Sequence, residues 1–218
     1  DCISEIKFCA AELYLSNNQI KSLPKEIGNL VQLTLLSLNS NKLENIPSEI
    51  ENLKHLESLF LSDNKLQEIP EQVKNLTNLK ELDISGNNFQ DSIDINFSPE
   101  QLHHLHLRNN KLRKINFTSE YLEKLVSLDL NNNRLSDIPE EIKICKNIHT
   151  LILSNNQLTY LPVRIGSLTN LRSLNLGYNH LRELPSSMEN FSQIKDLDMR
   201  YNQLAEIPDC IGGMVNIE

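Results

Sequence analysis

Asparagine recurs every 23 residues along the chain, at Asn18, Asn41, Asn64, Asn87, Asn110, Asn133, Asn156, Asn179 and Asn202. The aliphatic residues between these positions keep the same phase. One unit carries Leu33, Leu36, Leu38, Asn41, Leu43, Ile46, Pro47, Ile50 and Leu53; the next carries Leu56, Leu59, Leu61, Asn64, Leu66, Ile69, Pro70, Val73 and Leu76. A period of this size over nine units points to a solenoid, because one unit cannot bury its own apolar face and must stack on its neighbours. The unbroken phase predicts a single domain over residues 1–218. Residues 1–9 would be a short N-terminal cap, the nine units would fill about 10–216, and the C-terminal cap would be missing or very short.

Each unit has two halves. In the LxLxxN stretch the leucines alternate with other residues, the period of a half-buried strand. The proline that follows cannot donate to a sheet ladder, so the chain must leave the sheet and return. Strands of successive units then stack in parallel. The recurring asparagine sits where the chain turns inward, and its amide both donates and accepts. The nine asparagines are therefore expected to form a buried structural ladder that satisfies backbone groups of adjacent units.

The pattern LxxLxLxxNxLxxLPxxIxxLxxL resembles the leucine-rich repeat family, in the 23-residue form of Ras-suppressor-type, plant intracellular and secreted spirochaete (Leptospira-type) proteins. The resemblance covers residues 10–218. It implies an α/β horseshoe with the parallel sheet on the concave face and 3-10, extended or short helical turns on the convex face. It also implies a protein-binding role and brings no catalytic residues with it.

Two adjacent units depart from the pattern. Ser92-Ile93 stands where Leu-Pro is expected, and Asn116 replaces the next proline. Ser98-Pro99-Glu100-Gln101 looks like a capping box, and Thr118-Ser119 precedes Leu122 and Leu125, so more helical convex segments are expected here. The tract "CIGGMVNIE" stops at Ile217, the first apolar position of a tenth unit, so either the natural chain continues or a partner covers that end.

The strand register predicts three rows of side chains on the concave face. Glu12, Leu35, Ser58, Glu81, His104, Ser127, Thr150, Ser173 and Asp196 form the first row. Tyr14, Ser37, Phe60, Asp83, His106, Asp129, Ile152, Asn175 and Asp198 form the second, and the third includes Arg108 and Arg200. Three patches result. Tyr14, Leu35 and Phe60 offer apolar surface. His104 and His106 lie among Glu81, Asp83 and Asp129. Asp198 and Arg200 lie near Tyr178 and Tyr201. Tyr and Arg are favoured interface anchors, so these residues, with Ile152, are the candidate partner contacts.

The run "QLHHLHLRNN" thus contributes two imidazoles to the open face, while His103 sits at the approach to the strand. His104, His106, Asp83 and Asp129 are the candidate ligands for a weak divalent metal. The competing expectation is that the carboxylates simply raise the histidine pKa values and make the face pH-sensitive.

Composition narrows the classes of function. Twenty-nine acidic residues against 21 basic give a net charge of -8, which disfavours nucleic acid and anionic membrane as partners. No apolar run approaches the roughly 18 residues of a membrane span. The chain contains no G-x-S-x-G, H-E-x-x-H, P-loop or C-x-x-C motif, and six glycines are too few for a cofactor loop. These features lead to a non-enzymatic protein-interaction module that needs no cofactor. End-to-end or concave-face self-association stays open.

A secreted or cell-surface bacterial protein that contacts host proteins heads the expectations. A cytoplasmic scaffold, or the recognition part of a larger enzyme, is the alternative. The first residue, Asp1, is not an initiator methionine, so a removed signal stays open. Cys145 is expected to be a small buried hydrophobe, too far from Cys210 for a bond, while Cys2 and Cys9 are close enough in sequence for a disulfide or for two free thiols. The sequons at Asn75, Asn96, Asn116 and Asn190 are no more than an Asn-rich chain gives by chance.

Overall fold

The computed structural model describes residues 11–96, 102–118 and 120–217. The N-terminal cap with Cys2 and Cys9, and the Ser98–Gln101 capping box, lie outside the described residues.

The described residues form the strands β1 (Glu12–Tyr14), β2 (Leu35–Ser37), β3 (Ser58–Phe60), β4 (Glu81–Asp83), β5 (Gln90–Ile95), β6 (His104–His106), β7 (Lys111–Phe117), β8 (Ser127–Asp129), β9 (Thr150–Ile152), β10 (Ser173–Asn175) and β11 (Asp196–Asp198), and all but β5 and β7 fall where the alternating aliphatic residues predict them. Nine of them form one parallel sheet in the order β1-β2-β3-β4-β6-β8-β9-β10-β11. Equivalent residues of successive units pair throughout, as in Leu59 with Leu82 and Leu105 with Leu128. The middle leucine of each strand points into the core. Leu36, Leu59, Leu82, Leu105, Leu128 and Leu151 are fully buried.

Outside the sheet, proline governs the return path. Pro24, Pro47, Pro139, Pro162, Pro185 and Pro208 each stand directly before a 3-10 turn, and Pro70 stands before the short helix α1 (Glu71–Lys74). These prolines hold φ between -58° and -71° with extended ψ, which fixes the chain's entry into the turn. Each turn buries one apolar residue, such as Ile50 or Ile142, on the core side.

The two aberrant units correct part of the helical expectation. Their convex segments are strands: β5 and β7 pair in parallel as a separate two-stranded sheet, with a register shift at Asp91/Ser92. Asp91 takes a φ of 53° at this irregularity. The physical reason lies in the alternation: Ile93, Ile95, Ile115 and Phe117 are buried, whereas Asp94 is exposed and Asn116 half-buried. With no proline to end pairing, a period of two favours a strand. Asn116 donates to Asp94 across the pair at 2.7 Å. The helical turn expected after Thr118-Ser119 is present as the 3-10 helix Glu120–Lys124, like those of the regular units.

The asparagine ladder is present. In Asn64, Nδ2 donates to Leu61 O of its own unit at 3.1 Å and to Leu38 O of the preceding one at 3.0 Å, while Oδ1 accepts the Leu43 N–H at 2.9 Å. The same three bonds recur from Asn41 to Asn202. Asn41 through Asn179 are buried, Asn202 is half-buried and Asn18 is exposed. Among the described residues, no helix is long and apolar enough to cross a membrane.

Candidate functional site

The strand pairing places the concave side chains in the rows expected from the sequence. Asp83 pairs with His106, His106 with Asp129, and Asp129 with Ile152. Phe60, Asp83, His106, Asp129 and Ile152 thus stand side by side on five neighbouring strands, all half-buried. Tyr14 and Phe60 share this row but are separated by the buried Ser37, and Leu35 lies in the adjacent row. The N-terminal aromatics therefore form two contacts and not one patch. The Tyr14 hydroxyl donates to Glu12 Oε2 at 2.8 Å.

The central carboxylates have a structural task that composition does not reveal. Asp83 Oδ1 accepts the Ser85 N–H and Asp129 Oδ1 the Asn131 N–H, both at 2.9 Å. Asn175 and Asp198 do the same for Gly177 and Arg200 at 3.0 Å. This bond to the backbone two residues on closes the turn after the strand. The nearest carboxylate to an imidazole here is Glu81, with Oε1 3.9 Å from His106 Nε2. His104, His106, Asp83 and Asp129 do not gather as metal ligands: among the described residues, no three His, Cys, Asp or Glu side chains converge in a geometry that would hold a metal ion. The expected rise in imidazole pKa also needs correction. Burial pushes His104 below the usual value and outweighs the opposing charge of Glu81, with His106 and His103 adding to the decrease.

Near the C-terminus, Arg200 and Asp198 form a two-pronged pair. Arg200 Nη2 lies 2.8 Å from Asp198 Oδ2, and Nε donates to Oδ1 at 3.0 Å. The guanidinium holds the Asp198 carboxyl below its ordinary value. Beside this pair the rings of Tyr178 and Tyr201 stack, with centroids 4.3 Å apart and planes 18° apart. Desolvation, and then the closeness of the Tyr201 side chain, raise the Tyr178 pKa.

Both tyrosines occupy left-handed backbone, with φ of 57° and 56°. The equivalent slots of the other units hold Asn17, Ser40, Asp63, Gly86, Asn109, Asn132 and Asn155, also at positive φ. Gly, Asn and Asp tolerate this region, whereas a bulky side chain is strained there. The run of short polar residues before each ladder asparagine was a legible signal for this turn.

Cys145 is fully buried, and burial pushes its thiol up to about 12; Cys210 is also buried, and both are free thiols.

Models of the leucine-rich repeat region and of leucine-rich repeats match residues 12–127, 124–145 and 146–204. No curated protein matches the chain. Solved structures match in number, with 441 chains, so the fold likeness alone is broad and names no partner. A Leptospira interrogans LRR protein is 30% identical with a TM-score of 0.64 over 95% of this chain; the chain spans 65% of its length. A plant peptide hormone receptor, solved with its peptide, is 32% identical with a TM-score of 0.67, covering 94% of this chain and 38% of the receptor chain. An internalin from Listeria monocytogenes shares the fold at 24% identity and a TM-score of 0.66, covering 95% of this chain and 65% of its own.

Proposed function

Because the chain belongs to the leucine-rich repeat family, we propose that it is a non-enzymatic module that docks a protein partner on its concave sheet. Leucine-rich repeat domains are protein-interaction modules in general, and solenoids use their extended concave surfaces for this purpose. One observation carries the proposal. Positions that face the core repeat as aliphatic residues from unit to unit, whereas the outward positions of the middle row vary from Phe60 through Asp83, His106 and Asp129 to Ile152 and stay partly open to solvent. Residues that serve the fold are the same in every unit; residues free to vary are available for a partner.

A protein partner needs neither a cofactor nor an enclosed pocket, and an open sheet supplies neither. The solved receptor was captured with a bound peptide, which supports a peptide or protein as the class of ligand. The setting that belongs to this reading is secreted or cell-surface, and bacterial leucine-rich repeat proteins are among the similar structures. Protection of the protein from added protease on intact cells would reject that setting.

The test of docking is a pull-down with wild type and with Phe60→Ala, Asp129→Ala and Tyr201→Ala. Loss of one specific partner with any of these variants supports the concave face. Retention of every specific partner by all three, with folding intact, rejects it.

A further inference from the structure

The middle concave row is ordered in a way the fold does not require. Across β3, β4, β6, β8 and β9 it reads Phe60, Asp83, His106, Asp129, Ile152: apolar, acid, imidazole, acid, apolar. Turn closure explains an acceptor at positions 83 and 129 but not a charge. Asn175 makes the same bond to Gly177 N–H at 3.0 Å without one. The negative charges of Asp83 and Asp129 are therefore surplus to folding. Glu81 adds a third carboxylate beside His106, and the charged side chain on the other flank of His106 is Arg108. The centre of the face is thus net negative. Because each aspartate is pinned by a backbone N–H, holding it in place for a partner costs little further entropy.

Spacing decides the shape of the occupant. Adjacent strands lie about 4.8 Å apart, so Phe60 and Ile152 are separated by four steps, or about 19 Å. A helix lying across the strands presents one side chain per turn, at rises of about 4.5 or 6 Å for i,i+3 and i,i+4. An extended chain presents same-face side chains about 6.6 Å apart and falls out of step by the second strand.

We infer that the row from Phe60 to Ile152 seats an amphipathic α-helix of a protein partner, basic along its middle turns and apolar at both ends. This rests on concave-face docking and names the partner's chemistry. The basic turns lie over Asp83 and Asp129, and the apolar ends cover Phe60 and Ile152.

The test is selection of binders from a displayed library of random peptides, each roughly 18 residues or five turns long. Enriched sequences are then measured against wild type, Phe60→Ala, Tyr201→Ala and the double variant Asp83→Asn/Asp129→Asn, which keeps the turn bond and removes only charge. The expected result is enrichment of Lys and Arg with apolar residues at helical spacing, and a gain of helical circular dichroism on binding. Affinity should weaken about tenfold or more in the double variant. Enriched peptides that are proline-rich, neutral or acidic yet lost with Phe60→Ala would overturn the helix while concave docking stands. Enriched peptides indifferent to Phe60→Ala, the double variant and Tyr201→Ala would overturn both.

Discussion

The regular convex arcs and the β5–β7 pair solve one problem in two ways. Both must return the chain over a unit of 23 residues and bury an apolar layer. In the regular arcs a proline ends pairing and the chain turns in 3-10 geometry around one buried residue, such as Ile142 after Pro139. In the middle units Ile93 and Asn116 stand at the proline position, and alternation of Ile93, Ile95, Ile115 and Phe117 builds a second small sheet. The concave strands keep the same register on both sides of this change. The outer layer is thus adaptable because the inner layer of leucines and asparagines is not.

The largest expected effect would break the comparison if the two regions differed. Asn64→Ala in a regular unit and Asn110→Ala in an aberrant one should each lower stability by about 4 kcal/mol, since each strands a buried N–H and several carbonyls. Urea denaturation of both variants measures this. A loss several-fold smaller at Asn110 would show that the β5–β7 pair replaces the ladder instead of resting on it.

Next comes proline itself. Thr118 N–H donates to Ile95 O, and the two-residue alternation of a strand puts the Asn116 N–H on the same edge. Asn116→Pro, which restores the repeat pattern, should therefore destabilise by about 3 kcal/mol. Pro139→Ala should change stability by less than about 1 kcal/mol, through the unfolded chain. Thermal melts of the pair sharpen the contrast; an unharmed Asn116→Pro would mean that β5–β7 is not held by its ladder.

Surface changes rank lower. Asp129→Asn retains the acceptor for Asn131 N–H, so its stability should stay within about 0.5 kcal/mol of wild type. The Asp198–Arg200 pair is open to solvent on the Arg200 side, so its contribution at neutral pH is small. The sign follows from the depressed Asp198 carboxyl: its contribution is present above the ordinary value of 3.8 and is lost as pH falls below it. Arg200→Ala should therefore melt slightly lower than wild type at pH 7, and the gap should close in acid. A gap that persisted or widened in acid would contradict this pairing.

Most of the fold was legible because repetition amplifies weak signals. One Leu-x-Leu says little, but nine aliphatic pairs of this spacing in phase fix strand, register and the concave rows. The β5–β7 strands were legible in principle, since Ile93-Asp94-Ile95 and Ile115-Asn116-Phe117 alternate with period two. The turn of helix expected after Thr118-Ser119 is present at Glu120–Lys124, while the strand before it follows from the period of two. At the face, the rows were legible but the roles were not. Asp83 and Asp129 read as candidate metal ligands, yet each is turned to its own backbone.

The sequence by itself determined the solenoid, its parallel register, the asparagine ladder and which side chains share the open face, because each follows from a strict 23-residue phase. Only the tertiary structure decided that Tyr178 and Tyr201 stack, that burial outweighs Glu81 at His104, and that the central aspartates close turns instead of converging on a metal. Those outcomes depend on rotamers, burial and distances between units, and a repeat pattern fixes where a Cβ lies without fixing what its side chain reaches.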